Sequence, residues 1–92
     1  MEESGHVFSF TASVRAIADC HDIIDYMVNE FGISPSEALA RLNRSFAGWG
    51  HIGDHHIFFH EDEAYWANNI YYGKSSGWWQ KARSELTPLP FP

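Results

Sequence analysis

Ninety-two residues make one small domain, and a chain this short buries only about 60–65% of its unfolded surface, so its core has to be dense in large side chains. Aromatic residues are 16% of the chain, with four Trp, four Tyr and seven Phe, enough for such a core with aromatic surface left over. The net charge of −6 argues against nucleic-acid binding, whose phosphate contacts need clustered Lys and Arg; the lone Cys20 excludes an internal disulfide; and no apolar run approaches the length of a membrane span.

Residues 6–11 alternate apolar and polar side chains, which predicts a short strand. Thr11 or Ser13 then caps a helix over residues 14–31. Along it Ile17, Cys20, Ile24, Met27, Val28 and Phe31 recur at spacings of three and four, one apolar stripe, with Asp19, Asp22, Asp25 and Glu30 largely off it. Gly32 supplies the left-handed stop. A second helix over 35–47 has agreeing start signals: Ser34 as N-cap, Pro35 at the first helical position and Glu37 to complete a capping box. Leu39, Leu42 and Phe46 form its buried stripe.

Beyond a glycine-marked loop, residues 55–60 predict a second strand. Acids at 61–63 favour a helix N-terminus, so a short helix over 62–72 follows, ended by Gly73. Residues 74–77 make a turn and 78–80 a last short strand; proline at alternate positions keeps the tail, 87–92, extended. The fold expected is α+β: an antiparallel helix pair and a third short helix with a small two- or three-stranded antiparallel sheet, in one domain over 1–92. No basic stretch followed by an apolar core opens the chain, so the expected compartment is the cytoplasm.

His51, Asp54, His55, His56, His60, Asp62 and Glu63 are zinc-ligand types gathered in a short stretch. On a strand, however, His56 and His60 lie about 13 Å apart at roughly 3.3 Å per residue, too far for one ion with bonds near 2 Å. No metal, cofactor or catalytic residue is therefore expected, and a small metal-dependent enzyme is the lesser reading. The helix hairpin has the outline of a helix-turn-helix, with Arg41, Asn43 and Arg44 on the second helix, but the first would turn aspartates to the DNA backbone. A DNA-associated regulator is thus a second alternative.

Two acidic stretches, one holding Asp22 and Asp25 and the other Glu61 and Glu63, suit a basic protein partner by steering and complementarity. Six large aromatics fall within residues 65–79, and Tyr and Trp are enriched at interface hot spots. The candidate partner surface is Tyr65, Trp66, Tyr72, Trp78 and Trp79 with Asp22, Asp25, Glu61 and Glu63. The run 60–73, the Trp78-Trp79 pair, residues 87–90 and the helix start at 31–38 resemble a group of small uncharacterised bacterial proteins, a likeness that brings no activity with it. In size, acidity and aromatic surface the chain is also similar, by type, to immunity proteins of bacterial toxin systems. The expected function is a small acidic module for protein–protein interaction, an inhibitor or immunity-like protein that blocks a basic partner, with no nucleic acid and no membrane involved.

Overall fold

The computed structural model describes residues 8–91. Local chemistry sets the helix boundaries. α1 spans Val14–Phe31; the Ser13 side chain accepts from Ala16 N at its start, and Gly32, at φ 69°, donates its N–H to Val28 O at its end. α2 spans Pro35–Phe46, with Ser34 accepting from Glu37 N at 3.0 Å. The Glu37 carboxylate takes the Nε–H of Arg41 at 2.8 Å. α3 spans Glu63–Tyr72, capped by Asp62, whose Oδ1 accepts from Tyr65 N at 2.9 Å.

The expected sheet is absent, and the fold is all-helical rather than α+β. Among the described residues no strand occurs; the one strand-like pairing is an isolated bridge between Ala12 and Ile52, and it is parallel. Ser13 N–H donates to Ile52 O and Ile52 N–H to Thr11 O, each at 2.9 Å. Of the first expected strand, His6 and Val7 lie outside the described residues. The second is a 3-10 turn over Ile57–His60. There His56 Nδ1 accepts from Phe58 N–H at 3.0 Å and His56 O from Phe59 N–H at 3.1 Å, so the backbone satisfies itself locally and needs no ladder. Its side chains agree: Phe58 is buried while Ile57 is 60% exposed. The third expected strand is a 3-10 turn over Trp78–Gln80, closed by Gln80 N–H on the O of Gly77, whose φ is 73°. A last 3-10 turn covers Arg83–Glu85.

α1 is the central element, packed most extensively on α3 and also on α2. Serving two partners widens and rotates its buried stripe, which runs Ala16, Cys20, Ile23, Ile24, Met27. Ile17, Val28 and Phe31, expected in that stripe, are half-buried. α2 contributes Ala38, Leu42 and Phe46, and α3 contributes Ala67 and Ile70. The extended tail lies on the body: Leu89 N–H donates to Tyr71 O at 2.8 Å, while Arg41 and Arg44 donate to the carbonyls of Leu89 and Pro90. No helix among the described residues is long and apolar enough to cross a membrane.

Candidate functional site

α1 and the first turn of α3 bring the two acidic stretches together. Asp19 and Asp22 of α1 and the consecutive Glu61, Asp62 and Glu63 line one hollow of about 90 Å³. Ile23, Phe58 and Trp66 complete its lining. Asp19 and Asp22 share a helix face because they are three residues apart. The other three carboxylates are there because Asp62 caps α3, which sets its neighbours at the helix start.

Among the described residues no cation forms an ion pair with these five carboxylates; the salt bridges are Arg41–Glu37 and Arg83–Glu30. Arg15, one turn before Asp19, lays its guanidinium over the Phe59 ring at 4.2 Å. Asp25, exposed on α1 one turn past Asp22, prolongs the acidic band without lining the hollow.

The predicted aromatic residues divide by environment. Trp66 is half-buried; its Nε1–H donates to Phe58 O at 2.9 Å and its ring stacks on Phe58. Tyr72 is core, 6% exposed, and burial raises its hydroxyl pKa above the ordinary tyrosine value. Tyr65 meets Trp66 edge-on at 5.0 Å, Trp78 at 5.9 Å, and Trp78 meets Trp79 at 5.6 Å. Trp78 is tethered by its Nε1–H to Asn69 Oδ1 at 2.7 Å, and Trp79 is 58% exposed. A ladder of ring contacts thus leads from the wall of the acidic hollow to an exposed indole. Of the nine predicted site residues, Asp22, Glu61, Glu63 and Trp66 meet in the hollow, Tyr65, Trp78 and Trp79 continue from it, and Asp25 and Tyr72 stand apart.

Asp19 and Asp62 belong to the hollow but not to the predicted set. Asp19 has a signal, its three-residue spacing from Asp22; Asp62 is drawn there by its role as the cap of α3. The histidines go separate ways: His51 Nδ1 bonds Thr11 Oγ1 at 2.9 Å, His56 is a turn cap stacked on Trp49, and His55 and His60 are exposed. Among the described residues no three His, Cys, Asp or Glu are placed to hold a metal ion. The side chains that made α2 resemble a DNA-reading helix are used inside the molecule. Arg41 is buried against Glu37 and the tail, Arg44 bonds Pro90 O, and Asn43 Oδ1 accepts from Ser9 N–H at 2.9 Å. No family model, curated protein or solved structure matches this chain.

Proposed function

We propose that this protein is a protein-binding module, an inhibitor or immunity-like protein that covers a basic partner with its acidic hollow and the ring ladder beside it, acting in the cytoplasm. The observation that carries the reading is the convergence on one hollow of five carboxylates from distant stretches, none of them in an ion pair among the described residues. Lysine and arginine combine an aliphatic stem with a charged head and bury the two differently. The half-buried Trp66 suits the end of such a stem, while the carboxylates take the head. Trp79, with Tyr65 and Trp78 behind it, supplies rigid apolar area of the kind that anchors interfaces.

Charge and rings act on different rate constants, and the test uses that. Material from the native host is passed over the immobilised protein and over a triple variant, Asp22→Asn, Glu61→Gln, Glu63→Gln, with equal folding shown by circular dichroism. A basic protein held by the parent should be lost or bound with a slower on-rate and a flatter salt dependence. Trp79→Ala should leave the on-rate alone and raise the off-rate, at a cost of about 2 kcal/mol if it is an anchor. Retention of the same proteins by both columns would sink the proposal.

A further inference from the structure

A second cavity, of about 290 Å³, opens between α2 and α3, with walls from Phe46, Trp49, Trp66 and Ile70. That is close to the lower limit of small-ligand sites, about 300 Å³. At roughly 30 Å³ per heavy atom, the share of a water molecule in the liquid, it holds about ten such atoms.

Its chemistry is opposite to that of the acidic hollow. No carboxylate lines it, and its one charged residue is the exposed Lys74, which has no ion-pair partner among the described residues. In a chain of net charge −6, this is a local reversal of sign. Ser45 and Asn69 add polar groups at the rim.

The rings decide the shape of the occupant. Trp49 is already stacked on Phe46 at 4.4 Å and on His56 at 4.8 Å, and Trp66 on Phe58 at 5.8 Å. Phe46 and Ile70 are only 1% exposed, so the apolar surface open to an occupant is that of the half-buried Trp49 and Trp66 and of the exposed Leu89. That surface accepts an alkyl chain, and the single positive charge of Lys74 beside it favours an anion over a cation. The remaining wall is the tail. Leu89 stands against Gly73, where an added Cβ would come within 3.3 Å of its Cδ2, and its backbone is held by Tyr71 O and Arg41.

We infer that this cavity is a binding site for a small aliphatic carboxylate of about eight carbons, its chain against Trp49, Trp66 and Leu89 and its carboxylate at Lys74. The site is separate from the proposed partner face, apart from the Trp66 ring they share, and does not rest on that proposal. Because Leu89 is a wall, the ligand also steadies the tail.

The full-length protein is titrated with octanoate, octan-1-ol and octylammonium, each below its aggregation limit, and followed by NMR and calorimetry. Octanoate is expected to bind one to one, shifting the Trp49 and Trp66 indole signals and the Ile70 methyls and slowing hydrogen exchange at the Leu89 amide. Octanol should bind at least threefold more weakly. Lys74→Gln should cost octanoate about fivefold and leave octanol unchanged; Lys74 is exposed, so folding is not at stake. The inference is overturned if octanoate gives no saturable shift up to millimolar concentration, if Lys74→Gln leaves its affinity unchanged, or if octylammonium binds the same residues equally well.

Discussion

Arg41 concentrates more structural roles than any other polar side chain described. It is 4% exposed, its Nε–H donates to Glu37 and one Nη–H to Leu89 O, and its guanidinium lies over the rings of Tyr71 and Phe91. A buried cation persists only when paired and hydrogen-bonded, and the tail carbonyl is one of its partners. Arg41→Met keeps the stem but strands the Leu89 carbonyl and the Glu37 carboxylate. We expect a loss of about 2–3 kcal/mol in urea unfolding, with faster exchange at the Leu89 amide. Glu37→Gln should cost less, about 1 kcal/mol, since it keeps an acceptor. Cys20 gives a second expectation. Burial, with Asp19 adding to it, pushes its thiol up from 9.0 to about 12. The fold therefore holds the neutral thiol, so this contribution to stability is complete below about pH 9 and is lost as the pH climbs towards 12, by up to about 1.4 kcal/mol per unit. Cys20→Ala should flatten that alkaline decline, and native protein at pH 8 should resist thiol reagents until it unfolds.

At the scale of elements, the helices were legible because their ends are written in short-range chemistry. Ser13, Gly32, Ser34, Pro35, Asp62 and Gly73 each sit within a residue or two of a boundary the structure confirms. Ser34→Ala should cost about 1 kcal/mol, and Leu42→Ala about 2–5 kcal/mol, both measured by chemical denaturation. The strands were misread for a stated reason. A run such as Ile57-Phe58-Phe59 fits period two for only a few positions, and a 3-10 turn of four residues shows nearly the same pattern. A strand also needs a partner, and pairing is a long-range property that a single chain does not display. Far-UV circular dichroism and amide I spectra should show helix and turn with no sheet component. The candidate site was half legible: charge runs named Asp22, Glu61 and Glu63, but their convergence depends on how α1 meets α3. The aromatic run was harder, because composition counts rings without telling the buried Tyr72 from the exposed Trp79.

For the whole molecule, the distribution of charge follows from where the arginines are used. Arg15, Arg41 and Arg83 each lie over aromatic rings and Arg44 bonds a tail carbonyl, so none neutralises the acidic hollow. The hollow therefore gathers five like charges, four of them on exposed residues. Adding salt should raise the thermal midpoint, and Glu61→Gln should raise it at low ionic strength. At about 1 M salt, where the Debye length is near 3 Å, the advantage of Glu61→Gln should vanish. A midpoint indifferent to both would mean that water already screens these exposed carboxylates from one another.

Trp66 stands as a party wall. One indole helps line both the carboxylate hollow and the α2–α3 cavity, held by the hydrogen bond from its Nε1–H to Phe58 O and by ring contacts with Phe58 and Tyr65. Cutting that tether with Trp66→Phe would therefore disturb both cavities at once, and no substitution there can be assigned to one of them alone. The same geometry makes the two sides thermodynamic neighbours. If an octanoate in one cavity changes the affinity of a cation in the other by some factor, the cation must change the affinity for octanoate by that factor too.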